Sequence, residues 1–237
     1  MKIVLIRHGE PDNPHNTLTE KGFKEVEILG KYYNSSMFDY VYSSPLPRAL
    51  LTAEAVIKDK PITVLPWLQE FYYPFIKEDG KKQTNWDFLP SYLESHPQLV
   101  FSKDYLDDPL LESVGLKEKY QNVILEFDAL LAKHGYERNG HFYRVNNSNK
   151  DTIVLFCHFG IMSVMLSRIL DVPYTLLTQF MVCLPTGVTT LVSEEREEGI
   201  AQFRMLGYGD VSHLIREGME PSFHARFCEI FKSEDRH

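Results

Sequence analysis

The chain opens with MKIVLIRHGEP (residues 1–11) and returns to the same pattern in DTIVLFCHFGI (residues 151–161). Each stretch is a short apolar run that ends on a histidine with a glycine close behind. Ile3-Val4-Leu5-Ile6 and Ile153-Val154-Leu155-Phe156 show no polar alternation, so each reads as a strand buried on both faces of a parallel sheet. Between them the period changes to that of helices. Thr19 is placed to cap a helix in which Phe23, Val26 and Leu29 recur at helical spacing. Tyr40-Val41-Tyr42 gives a second short strand. SSPLPRALLTAEAVIK (residues 43–58) then predicts a helix with Ser44 as its cap and Pro45 or Pro47 in its first turn. Ile62–Leu65 reads as a third strand. Strand and helix in alternation predict an α/β fold with a mostly parallel sheet.

Residues 71–150 break that rhythm. They contain no buried parallel strand, and helices are expected near Trp86–Ser95 and Leu116–His134, the latter with an apolar stripe of Val123, Phe127, Leu130 and Leu131. The expectation is one domain over residues 1–237, with a helical cap inserted at about 71–150 over the carboxyl ends of the strands. After 150 the alternation resumes. A helix is expected from Ile161 to Leu170 and a shorter one after Pro173. Val188–Ser193 and Ala201–Leu206 then form a hairpin around the solvated run EEREEG. A last apolar face is expected on a C-terminal helix carrying Phe223, Phe227, Ile230 and Phe231.

Composition narrows the function. The 237 residues are 43% hydrophobic and 24% charged, with 25 Lys+Arg against 33 Asp+Glu and a formal net charge of -8. An acidic chain lacks the basic footprint that nucleic-acid binding requires. Three scattered cysteines, Cys157, Cys183 and Cys228, suit neither a disulfide framework nor a CxxC metal site. No run approaches the roughly 18 apolar residues of a membrane span. A cytoplasmic protein without nucleic-acid or membrane partners, and without a metal or other cofactor, is the expectation.

In open α/β sheets, ligands bind beyond the carboxyl ends of the parallel strands. There the sequence delivers Arg7, His8 and Gly9 after the first strand, Arg48 after the second and His158 after the fourth. Arg48 also lies in the first turn of its helix, where free N–H groups and the macrodipole favour an anion. Two guanidiniums, two imidazoles and a helix N-terminus on one rim describe a phosphate pocket, because arginine matches phosphoryl oxygens with forked hydrogen bonds. Gly9 would let backbone approach the ligand, and Asn13 belongs to the loop beside it.

Taken in order, RHGEP (7–11), LTEKG (18–22), SSPLPRALLTAEAV (43–56), LQE (68–70), CHFG (157–160) and GDVSHL (209–214) resemble the signatures of the histidine phosphatase superfamily, in its phosphoglycerate-mutase-like branch (branch 1). The acid-phosphatase branch fits less well, since its RHG-x-R-x-P pattern fails at Pro11. The resemblance implies a three-layer α-β-α sandwich and a metal-independent phosphatase acting on a small phosphomonoester. It makes His8 the nucleophile that becomes a phosphohistidine. Arg7, Arg48 and His158 would hold the phosphate, with Gly9 and Asn13 lining its pocket, and Glu70 would serve as general acid and base. Asp12 and Asp87 are outside candidates for that last role. His8 must be neutral to attack, and two arginines beside it would lower its pKa. Glu70 must hold a proton, which burial favours.

Two departures stand out. Phe159 intervenes between His158 and Gly160, and FYYPF (71–75) replaces the continuation common after the LQE glutamate. Phe71, Tyr72, Tyr73, Phe75, Trp86, Phe88 and Tyr92 either form the insertion's own core or stack on a leaving group. Lys77, Lys81 and Lys82 are candidates for a second anion. The alternatives are a phosphoglycerate-type mutase, a non-catalytic phospholigand-binding module and, less well supported, a metallohydrolase built on His8 and His158.

Overall fold

The two quoted stretches lie side by side. In the computed structural model, β1 (Lys2–Arg7) pairs in parallel with the strand Thr152–Cys157, residue for residue from Lys2 opposite Thr152 to Arg7 opposite Cys157. Residues 1–76, 80–86, 88–224 and 230–233 are described. In chain order the remaining strands of the main sheet are β2 (Tyr40–Ser43), β3 (Thr63–Val64), β4 (Tyr136–Asn139) and β5 (Phe142–Val145). Thr152–Cys157 is then β6, followed by β7 (Val188–Glu197) and β8 (Ile200–Asp210). The eight strands run in the order β3-β2-β6-β1-β7-β8-β5-β4.

The sheet is mixed rather than mostly parallel. β3, β2, β6 and β1 are parallel, whereas every pairing from β1 to β4 is antiparallel. The difference arises in the stretch expected to be helical. Residues 136–145 form a hairpin that extends the main sheet, and a second hairpin joins Phe75–Ile76 to Lys82–Gln83. β4 and β5 alternate buried and exposed residues, the pattern of strands with one covered face.

β1 shows why the parallel half holds together. Ile3 and Leu5 join one buried cluster with Phe127, Leu131 and Met165, while Val4 and Ile6 join another with Leu29, Ala53 and Val56. Each such side chain contributes roughly 1.5–3 kcal/mol when fully buried. The second cluster is covered by α1 (Glu20–Tyr32) and α2 (Pro47–Val56); the first is covered by α3 (Leu116–Lys133), α4 (Phe159–Leu170) and α5 (Tyr174–Phe180). Thr19 caps α1 as expected, its side chain accepting from Gly22 N. The buried face of α1 is Gly22, Glu25, Val26 and Leu29, so Phe23 points outward at 46% exposure.

Other boundaries shift for local reasons. The third strand shrinks to two exposed edge residues. The helix expected from Trp86 begins only at Pro90, a residue that favours the first turn. α4 starts at Phe159, two residues early, with His158 as its N-cap. Among the described residues no helix is long and apolar enough to cross a membrane. Lys77, Asp87 and Phe227 lie outside the described residues; of the other residues expected on an apolar C-terminal face, Phe223, Ile230 and Phe231 are exposed.

Candidate active site

The parallel register builds the site. With Arg7 opposite Cys157, the next residues in each strand are His8 and His158, and their ring centroids lie 4.9 Å apart. His8 N donates to Cys157 O at 3.0 Å, which locks the two strand ends together. β2 ends one strand further out, so Ser44 meets the same rim and its Oγ lies 2.7 Å from His158 Nε2. Ser44 was expected only as a helix cap. It accepts from Leu46 N at 3.2 Å, leaving its hydroxyl proton for His158 Nε2. The neutral imidazole then carries its own hydrogen on Nδ1.

The two histidines are held differently. His8 Nδ1 is 2.6 Å from Gly9 O, so this nitrogen carries the proton and Nε2 keeps its lone pair. Arg48 Nε points to that Nε2 at 3.3 Å. Burial holds His8 well below the ordinary imidazole pKa, reinforced by His158, Arg7 and Arg48. His158 is lowered in the same way, first by burial and then by Arg48 and Arg7. The arginines act in the expected direction, but burial is the larger cause.

Arg7 is buried and donates through Nη1 to Cys183 O at 2.5 Å. Its Nε and the Nδ1 of His158 are buried with no hydrogen-bond partner among the described residues. Buried donors of this kind call for an acceptor, and a phosphoryl group supplies several. Arg48 rides on the first turn of α2, and its carbonyl accepts from Thr52 Oγ1, which in turn accepts from Gly9 N.

Glu70 follows a single 3-10 turn (Pro66–Leu68) after β3. Its Oε1 accepts from Phe71 N at 2.9 Å, Gly160 N at 2.9 Å and Ile161 N at 3.3 Å. The N-terminus of α4 is therefore occupied by a protein carboxylate. Burial raises the pKa of Glu70, against the opposing pull of Arg7, Arg48 and the backbone bonds. With Oε1 engaged three times, Oε2 is left to carry a proton. Gly160 makes this approach possible: a Cβ there would stand 2.7 Å from Glu70 Oε1 and 2.9 Å from Trp86 Cζ3. Phe159 stands immediately before this glycine, and its ring faces Arg7 at 6.0 Å.

Arg7, His8, Arg48 and Glu70 line one cavity of about 720 Å³, together with Pro11, Asn13, Leu46, Tyr72, Trp86, Phe159 and His224. His158 is completely buried beneath it, against His8. Asn13 is thus one of the lining residues. Gly9 is not among the residues that line the cavity; a Cβ there would meet Val26 Cγ1 at 2.7 Å and Gly22 O at 2.9 Å, so its lack of a side chain lets it pack against α1. Asp12 pairs with the exposed His15. Lys82 lies 5.8 Å from the Tyr72 ring on the surface.

His224 is a cavity residue that the sequence reading missed. The buried Glu25 and the half-buried Glu10 bring it there. Glu10 accepts from Ser222 Oγ, Glu25 Oε1 accepts from Ser222 N at 3.2 Å, and Glu25 Oε2 accepts from Glu10 N at 2.8 Å. His213 was also missed: it meets Thr186 Oγ1 at 3.0 Å, and Thr186 N donates to His8 O at 3.1 Å. No periodicity marks either residue, because each acts through a turn far away in sequence.

Residues 3–93 match the model of the histidine phosphatase superfamily (branch 1). Over that stretch the chain is similar to the superfamily. It is similar to adenosylcobalamin/alpha-ribazole phosphatase of Salmonella typhimurium, 24% identical over 196 residues that cover 77% of this chain and 86% of the relative. Phosphoserine phosphatase 1 of Hydrogenobacter thermophilus is 32% identical over 74 residues, covering 27% of this chain and 35% of that protein. Among solved structures, the fold matches phosphoserine phosphatase from Entamoeba histolytica with a TM-score of 0.60 and 18% identity, over 90% of this chain and 98% of the other.

Proposed function

We propose that the protein hydrolyses a small phosphomonoester in two steps through a phosphohistidine on His8. The observation that carries this reading is the state of His8: neutral, with Nδ1 tied to Gly9 and Nε2 facing the same cavity as Arg48 and Glu70. In the first step Nε2 attacks phosphorus and the ester P–O bond breaks. The departing oxygen takes the proton of Glu70. Arg7, Arg48 and His158 Nδ1 donate to the phosphoryl oxygens, where preorganised donors act most strongly on developing charge. In the second step the Glu70 carboxylate accepts a proton from water as its oxygen attacks phosphorus. The P–N bond breaks, inorganic phosphate leaves and His8 is neutral again. A covalent intermediate divides one difficult transfer into two easier ones.

A mutase would return the phosphoryl group to a second hydroxyl and hold a second acidic group of its substrate. Among the described residues lining the cavity, Arg7 and Arg48 are the full cations, and both face the phosphate. Hydrolysis is therefore the better reading. Release of inorganic phosphate from a panel of phosphorylated metabolites tests it directly. Isomerisation of 3-phosphoglycerate without phosphate release would sink it.

A further inference from the structure

The phosphoryl chemistry leaves one wall of the cavity unexplained. Tyr72, Trp86 and Phe159 line it next to Arg7, His8, Arg48 and Glu70. Phe159 shares the main buried cluster with Phe71, Phe75 and Phe88 of the insertion, whereas Tyr72 and Trp86 do not belong to it. The insertion's aromatics thus divide into a core set and a set that faces the cavity. Trp86 meets Tyr72 at 5.7 Å and 59°, and Phe159 edge-on at 6.1 Å and 89°. These spacings lie within the range that aromatic pairs prefer.

The wall is held rigidly from behind. Asn85 is fully buried; its Oδ1 accepts from Tyr73 N at 2.9 Å, and its Nδ2 donates to Phe71 O at 3.2 Å and Tyr174 Oη at 2.7 Å. Tyr174 Oη donates back to Asn85 O at 2.9 Å. The backbone on either side of Tyr72, and just before Trp86, is therefore pinned to α5. Thr84 Oγ1 adds a bond to Trp86 O at 2.6 Å. Tyr72 nevertheless stays 42% exposed. A fixed ring with an open face is suited to stacking, since little side-chain freedom is left to lose on binding.

Resting on the phosphatase reading, we infer that this wall binds the alcohol part of the ester and selects a leaving group that carries an aromatic ring. A leaving group with a carboxylate is disfavoured. Among the described residues that line the cavity, Arg7 and Arg48 are the full cations and serve the phosphate, so its charge would be desolvated against Tyr72 and Trp86 without a lining cation to pair with.

The test compares phenethyl phosphate, n-butyl phosphate and O-phosphoserine. The first two are esters of primary alcohols of similar acidity, so leaving-group chemistry does not favour either. The expected kcat/KM is about tenfold higher for phenethyl than for butyl phosphate, expressed mainly in KM, with phosphoserine lowest. Trp86→Ala should reduce that ratio to near unity and Trp86→Phe should restore most of it. Tyr72→Ala, at an exposed position, should reduce the ratio too and serves if the tryptophan variant does not fold. Equal rates on the first two esters, a ratio unmoved in the variants, or a preference for phosphoserine would overturn the inference. If no ester is hydrolysed, the phosphatase reading fails but the wall can still be judged. Phenethyl phosphate, unlike butyl phosphate, should then quench wild-type tryptophan fluorescence and not that of Trp86→Phe; the absence of that difference would also overturn it.

Discussion

His8 Nδ1 lies 2.6 Å from the carbonyl oxygen of Gly9, and this contact decides which imidazole nitrogen is free to react. A neutral ring has one hydrogen, and the carbonyl claims it. Burial and the nearby charges keep the ring from taking a second.

The pH dependence follows. His8 is held well below 6.5, so no loss of kcat/KM is expected from its protonation as pH falls through the usual histidine range. Glu70 is raised above 4.5, and the first step needs its acid form. Activity should therefore fall as pH rises through the raised value, once the second ionisation of the substrate near pH ~6 is corrected for. A pH profile of kcat/KM for wild type and Glu70→Gln checks this: the variant should lack that alkaline limb. An acid limb centred on the ordinary imidazole value would contradict it.

Leaving-group dependence isolates the same proton. An alkoxide is a poor leaving group and needs the acid, whereas p-nitrophenolate leaves without help. Glu70→Gln should lower the rate of phosphoenzyme formation about 10²–10⁴-fold with alkyl phosphates and far less with p-nitrophenyl phosphate. Single-turnover kinetics with both substrates give the comparison, and an equal loss on both would assign Glu70 a different role.

Gly160 offers a test of position. A Cβ there would stand 2.7 Å from Glu70 Oε1, 2.9 Å from Trp86 Cζ3 and 3.0 Å from Phe71 O. Gly160→Ala should displace the carboxylate, at a stability cost of about 1–3 kcal/mol and a rate loss on the order of 10²-fold. Urea unfolding and kcat measured on the folded variant separate the two effects. A variant with full activity would show that Glu70 does not require this approach.

His213 supplies a prediction about stability. Burial pushes its pKa down to about 4, with Asp210 opposing. The unfolded imidazole takes its proton near 6.5, so between these values the unfolded state binds more protons. The stabilisation is complete above about pH 6.5 and is lost as pH falls towards 4, at up to about 1.4 kcal/mol per pH unit. His213→Gln should be less stable than wild type at neutral pH, and its deficit should shrink by about pH 5. Urea titrations at both conditions decide the matter; a constant deficit would contradict the linkage.

Much of this site was legible because the parallel strands announce themselves. Ile3–Ile6 and Ile153–Phe156 are uninterrupted apolar runs, and the residue that ends each run lands on the functional rim. Arg48 was legible for a related reason, since Pro47 fixes the start of α2. Ser44 and Cys183 O were not, because their roles depend on which strand or loop lies next to His158 or Arg7 in space. The same holds for the latch of Glu10, Glu25 and Ser222 that carries His224 to the cavity. Residues 136–145 were misread because a short one-sided strand at a sheet edge has too little hydrophobic signal to stand out from a loop. The division of the aromatics into core and cavity also lay beyond sequence, since it turns on the buried hydrogen bonds of Asn85.

The central claim is that the phosphoryl group passes through His8. Rapid quenching during turnover of a phosphomonoester, followed by peptide mass spectrometry, measures it most directly. The expected result is an acid-labile, base-stable phosphate on the peptide containing His8, formed and consumed fast enough to account for turnover and absent in His8→Ala. Substantial phosphate release by a folded His8→Ala variant, or a covalent phosphate on another residue, would contradict it.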